Sequence, residues 1–170
     1  MEAYNEPVDH VYAVTLSSHL SGSYNSAKLG ADLYREKYGE KQIHVVDSES
    51  ASGGETQLAL KLMELEEAGL SFEEIVKQIE SYRDSINTLF VLDNLETLRK
   101  NGRLSGVKAL VASTLSIKPV MAGDKGRIVQ KSQTIGIKKA LSKMAELAIA
   151  EVKNPEERKL IITHCNAPGR

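Results

Sequence analysis

The same succession occurs twice in the first third of the chain: a short apolar run, then a loop of serines and glycine, then a helical pattern. VYAVTL (residues 11–16) opens into SSHLSGS, and IHVVD (residues 43–47) opens into SESASGG. Short, partly β-branched apolar runs bounded by polar residues read as buried strands. Strands that alternate with helices are joined by crossovers, so this half of the chain reads as a parallel α/β layer. In an open sheet of that kind, ligands collect where loops leave the carboxyl ends of the strands. Both hydroxyl-rich loops occupy that position.

The helical segments show buried stripes. Tyr24, Ala27, Ala31, Tyr34 and Tyr38 recur at three- and four-residue steps on the first helix, which Gly39 closes. Leu58, Leu62 and Leu65 mark the second, which Gly69 stops. Ser71 and Glu74 form a capping box for a third helix, with Leu70 and Ile75 at staple positions and Ile75, Ile79 and Tyr82 along its buried face.

The pattern then changes. TLFVLD (residues 88–93) reads as a strand, after which Asn94 caps a short helix ending near Gly102, and a second short helix begins at Ser105 and runs through GVKALVASTL. IKPVMAG and RIVQKSQTIG flank Asp124, Lys125 and Gly126 as a hairpin, and Pro119 places its first strand at an edge or a strand start. A helix carrying Ile137, Leu141, Met144 and Ala148, a break at Asn154 and Pro155, and a final strand KLIITHC follow. The expected architecture is a parallel α/β layer followed by a mixed or antiparallel sheet with helices, in two domains, 1–85 and 86–170. A chain of 170 residues with 41% apolar composition suffices for real cores, which must be aliphatic because tryptophan is absent.

Charge excludes several functions. Lys and Arg number 22 against 23 acids, with no long run of one sign, so there is no electrostatic footprint for a nucleic acid or an anionic membrane surface. No apolar run approaches the roughly 20 residues of a membrane span. Cys165 stands alone, which excludes an internal disulfide and fits the reducing cytoplasm. No pair of ligands has metal-site spacing, and His164 beside Cys165 reads as strand-end packing. The first loop lacks the lysine and glycine spacing of a P-loop, and no GxGxxG follows a strand. HLSGS lacks the preceding glycine of a nucleophile elbow, and nothing marks His10, His19, His44 or His164 as a base for Ser21. Asp47 and Glu49 form a carboxylate pair in the second loop, where acids are usually solvated or capping.

The stretch TLSSHLSGSYNSA (residues 15–27) holds six Ser/Thr hydroxyls. A helix amino terminus offers unpaired N–H groups and partial positive charge, to which Ser21 Oγ adds a neutral donor suited to an anionic head group. Gly22 lets a ligand approach the backbone without a Cβ in the way. The same spacing is met by Ser21 capping its own helix while Ser17 and Ser18 satisfy a turn. In LRKNGRLSG (residues 98–106), Arg99, Lys100 and Arg103 surround a glycine turn, with Lys108 beyond. They suit a helix carboxyl terminus in solvent, or the docking of an acidic partner surface.

Taken together, TLSSHLSGSYNSA, HVVDSESAS, FVLDNLETLRKNGRLSG and LSIKPVM resemble the DegV family, the EDD-fold or FakB-type fatty-acid-binding proteins, in order and spacing from about Asp9 onward. The resemblance implies a two-domain protein that holds a long-chain fatty acid between its domains. The carboxylate would bind near Ser21, with Ser18 and Gly22 as weaker contacts, and the tail would lie in an apolar tunnel. It further implies that the protein performs no chemistry itself and presents the acyl group to a fatty acid kinase; no cofactor or metal is expected, and Arg99, Lys100 and Arg103 are the weak candidates for docking that partner. The family usually begins earlier, with a DS-containing strand loop and a TSQP-like segment whose threonine shares the carboxylate, and it continues past KLIITHC. This chain is therefore expected to be a fragment with partial domains, whose leading sheet either exposes edges or pairs with another copy. The competing reading is an enzyme or sensor that binds a small phosphorylated or carboxylated metabolite at the same helix amino terminus.

Overall fold

The structure is a computed structural model that describes residues 7–104 and 117–165. They form two compact units that divide between Ile86 and Asn87.

In the first unit, β1 (His10–Thr15), α1 (Ser23–Tyr38), β2 (Gln42–Asp47), α2 (Gly53–Glu67) and α3 (Phe72–Asp84) follow one another. β1 and β2 pair in parallel from His10 opposite Gln42 to Thr15 opposite Asp47. Both strands are covered on two faces, which is why they read as continuous apolar runs rather than alternating ones. On one face Val46 packs with Leu58, Leu62 and Leu65 of α2 and Ile75 and Ile79 of α3, joined by Tyr12 and Val14. On the other, Ile43 packs with Ala31 and Tyr34 of α1, joined by Val11, Ala13 and Val45. Among the described residues each strand keeps one edge unpaired.

The helix signals hold with one adjustment. Gly39 (φ 90°) and Gly69 (φ 71°) follow the ends of α1 and α2 in the left-handed region that glycine occupies at least cost. Ser71 and Glu74 make both bonds of the capping box, and Leu70 packs on the cluster containing Ile75. Tyr38, however, is exposed: it lies in the last turn of α1, with its ring 5.0 Å from that of Tyr34.

At the rim of this unit the Tyr12 hydroxyl donates to Glu66 Oε1 at 2.7 Å, and His10 Nδ1 meets the same oxygen at 2.7 Å. Tyr12 also stacks on Phe72, centroid to centroid 5.6 Å. Burial pushes the Glu66 carboxyl up, but the bonds from Tyr12 and His10 outweigh it and hold the group below the usual carboxylate range. Burial raises the Tyr12 phenol, and Glu66 raises it further.

The second unit contains β3 (Thr88–Val91), α4 (Glu96–Lys100), β4 (Ile117–Asp124), β5 (Arg127–Ile135) and α5 (Ile137–Glu151), then a 3-10 turn at Pro155–Glu157. The sheet is antiparallel in the order β3-β4-β5. Lys125 (φ 45°) and Gly126 (φ 76°) make the two-residue turn between β4 and β5, whose positive φ values match the twist of a hairpin. Val120, Met121, Ala122 and Ala140 form its solvent-free interior. Ile137, Leu141, Met144 and Ala148 of α5 are half-buried. Asn87 Nδ2 and Lys131 Nζ donate to the two oxygens of Glu151 at 2.9 and 3.2 Å, tying the end of α5 to the start of β3 and to β5.

Four expectations are corrected here. Pro119 lies inside β4, the central strand, but β3 pairs with β4 only from Val120 to Gly123, so the proline without its N–H sits just beyond that ladder. Asn94 does accept from the Glu96 amide at 2.7 Å, yet it does so from one residue before the cap, a place taken by Leu95. The segment KLIITHC is not a strand: none of the described strands pairs with it, and Leu160 and Ile162 are each 79% exposed. His164 and Cys165 are exposed as well, so strand-end packing does not apply to them. The short helix read from Ser105 lies outside the described residues.

The α/β class is thus realised as a helix-covered parallel pair followed by an antiparallel sheet with helices. Ile79 is fully buried among α2, α3 and β2. Ile79→Ala is expected to destabilise the chain by about 2–5 kcal/mol, read as a lower urea midpoint for loss of helical circular dichroism.

Candidate functional site

Because β1 and β2 pair in phase, Thr15 and Asp47 end side by side and the loops that follow them meet. The meeting is a hydrogen-bonded lattice. The Ser17 amide donates to the Ser50 carbonyl at 3.0 Å, and the Ser48 amide to the Thr15 carbonyl at 3.2 Å. Thr15 Oγ1 donates to the Val46 carbonyl at 3.1 Å. Ser48 Oγ both donates to the Ser50 carbonyl and accepts from the Ser50 amide, each at 3.1 Å. Asp47 Oδ1 accepts from the amides of Ser18 at 3.0 Å and Glu49 at 3.1 Å, so one oxygen spans both loops. Thr15, Ser17, Ser48 and Ser50 are buried; such polar groups are tolerated because they are paired.

From this base the first loop climbs in a single turn to α1. The Ser17 carbonyl accepts from the amides of Leu20 at 2.9 Å and Ser21 at 3.0 Å, and Ser17 Oγ accepts from His19 at 3.3 Å. Ser21 Oγ accepts from the Ser23 amide at 3.2 Å. That bond occupies a lone pair and leaves the hydroxyl proton to point elsewhere, which suits a donor to an incoming anion. Gly22 is the N-cap residue of α1, and the amides of Tyr24 and Asn25 make no hydrogen bond to any described residue. These are the groups a helix amino terminus holds out to an anion. Ser23 Oγ is buried and finds no partner among the described residues.

Ser18, Ser21 and Gly22 therefore share one loop. Ser21 serves its own helix and retains a free proton; Ser17, read with Ser18 as a turn residue, is a buried strut; Ser18 is held through its amide. Gly22 has φ −75°, and a Cβ built there would meet no atom within 4 Å, so the position has open space around it and makes no use of glycine's backbone freedom. The second loop carries the backbone tension: Glu49 (φ 49°) and Ser52 (φ 55°) occupy the left-handed side without being glycine. Glu49 is steadied by its amide bond to Asp47 and by Arg83, whose Nε lies 4.0 Å from Glu49 Oε1.

Arg99, Lys100 and Arg103 belong to the second unit. Arg99 forms a two-pronged pair with Glu96, Nε to Oε1 at 3.1 Å and Nη2 to Oε2 at 3.0 Å, and Lys100 Nζ lies 3.9 Å from the same carboxylate. Their bond with Glu96 raises the Arg99 guanidinium and lowers the carboxyl. Arg103 is exposed beyond Gly102. Among the described residues no group of three or more His, Cys, Asp or Glu side chains is placed to hold a metal ion, and no helix is long and apolar enough to cross a membrane.

The family model described as "Uncharacterised protein, DegV family" matches residues 1–170. The chain belongs to the DegV family. A DegV domain-containing protein of Streptococcus gordonii is 39% identical over 159 residues, which cover 93% of this chain and 56% of the relative. A solved DegV family protein from Ruminococcus gnavus, refined with vaccenic acid, is 55% identical with a TM-score of 0.86, covering 90% of this chain and 55% of that one. The Streptococcus pneumoniae Fatty Acid Kinase (Fak) B3 protein, loaded with linoleic acid, is 38% identical with a TM-score of 0.77, over 85% of this chain and 52% of its own. This DegV chain thus spans about half the length of the relatives it matches.

The residues that sequence reasoning undervalued in this DegV chain are the struts, Thr15, Asp47, Ser48 and Ser50. Their signal was the repetition itself, a polar side chain at the last position of each strand. Ser48→Ala removes both side-chain bonds to Ser50 from a buried position, and we expect a loss of about 1–3 kcal/mol with faster hydrogen exchange of the amides at Ser17 and Ser50.

Proposed function

We propose that the chain binds the carboxylate of a long-chain fatty acid at the start of α1, with Ser21 as its principal ligand and Ser18 and Gly22 beside it. In this role it acts as a carrier, not a catalyst, working in the cytoplasm and presenting the acid to a fatty acid kinase. The observation that carries the reading is the Ser21 hydroxyl, whose oxygen is engaged by the Ser23 amide while its proton remains available beside unpaired helix amides. Support comes from the matched relatives, solved with vaccenic, heptadecanoic and linoleic acids. A carboxylate gains charge-assisted hydrogen bonds from such donors, and a full positive charge is not required.

Affinity would come from the tail. Burying about 14 methylenes at about 0.8 kcal/mol each is a gross gain near ~11 kcal/mol, reduced by ordering the ligand and desolvating its head. The serine cup then supplies orientation, holding the acid outward for a kinase.

Mass spectrometry of the protein purified from bacteria tests the reading. We expect a co-purified long-chain fatty acid that falls roughly tenfold or more in Ser21→Ala, in line with one lost hydrogen bond to a charged group. Tight binding of a small phosphate ester with no lipid would support the metabolite reading instead. For the basic turn, Arg103→Glu is expected to slow acyl-phosphate formation by a fatty acid kinase while leaving lipid occupancy unchanged; an unaltered rate removes the turn from the docking surface.

A further inference from the structure

Asp47 is a carboxylate placed in the loop layer where the carrier reading puts a second carboxylate, an arrangement that electrostatics alone would disfavour. It sits at the last position of β2, and its Oδ1 takes two amide protons, from Ser18 across the gap and from Glu49 in its own loop. Two N–H donors on one oxygen satisfy much of its charge locally, as charge-assisted bonds do. The bond from the Ser18 amide ties the second loop, through a side chain, to the residue that follows the buried Ser17. Ser17 and Ser18 begin the turn that ends at Ser21, whose amide returns to the Ser17 carbonyl. A shift at Ser18 therefore moves the Ser21 hydroxyl relative to the start of α1.

We infer that Asp47 is the positioning residue of the head-group site: it sets the first loop so that the Ser21 hydroxyl and the first amides of α1 converge on one carboxylate. This rests on the carrier reading. Asp47 acts through Ser18 and does not touch the ligand, so its removal costs recognition of the acid head and spares the hydrocarbon tail.

The test compares oleic acid with oleyl alcohol, which share a tail and differ in the head, each competing against a fluorescent fatty acid on the full chain. Wild type is expected to favour the acid. Asp47→Ala, which deletes the acceptor, and Asp47→Glu, which moves it outward by a methylene, are expected to lose roughly tenfold in acid affinity with less than about twofold change for the alcohol. Asp47→Asn keeps an oxygen that can accept both amides and is expected to retain the acid preference or raise it. A folded Ala or Glu variant with the wild-type ratio of acid to alcohol overturns the proposal, as does an Asn variant that loses the preference as far as Ala. Failure of both Ala and Glu variants to fold, by circular dichroism, assigns Asp47 to stability and also overturns it. If wild type binds neither lipid, or both alike, the carrier reading fails and this inference falls with it.

Discussion

The in-phase parallel pairing of β1 with β2 is the constraint on which the first unit depends. Thr15 and Asp47 are register partners, so both strands stop at one level and their loops leave together. A register slip would turn Val46 and Ile43 to the wrong faces, because side chains alternate along a strand. It would also pull Ser17 from Ser50 and Ser48 from Thr15. Packing and site geometry are therefore fixed by the same choice. The aliphatic cluster of α2 and α3 holds Val46 on one face while Ala31 and Tyr34 hold Ile43 on the other.

Much of this was legible in the sequence because the relevant signals are local. The capping box at Ser71, the leucines at helical spacing in α2 and the hairpin around Lys125 and Gly126 each state their own conformation. What escaped depends on partners remote in sequence. Pro119 is acceptable in a central strand only because β3 is short, a fact about β3 and not about the proline. KLIITHC has the composition of a strand, but a strand exists only where a neighbour supplies the ladder, and Leu160 and Ile162 stand in solvent.

The site divides along the same line. The loop, its helix and the prominence of Ser21 follow from residue type and position at a strand end. The division of labour among six similar hydroxyls does not, because Ser17, Ser21 and Ser23 differ only in where the fold leaves their oxygen atoms. One became a buried strut, one took a helix amide, and one is enclosed without a partner among the described residues. The basic turn shows the converse: Arg99 and Lys100 are prominent in sequence, yet both lean on Glu96 of their own helix.

The lattice beneath the Ser21 loop is complete without any visitor. Ser17, Ser18 and Ser48 already spend their amides across the two strand ends, and Ser50 spends its own on Ser48 Oγ, so under the proposed carrier role an arriving acid would have little backbone to immobilise. Recognition of the head would then resemble a lock more than a closing hand, with small entropic loss from the protein at that end. In the proposed role, discrimination among acyl lengths would fall to whatever surrounds the ligand's far carbon atoms, so cargo could change without any change to the clasp.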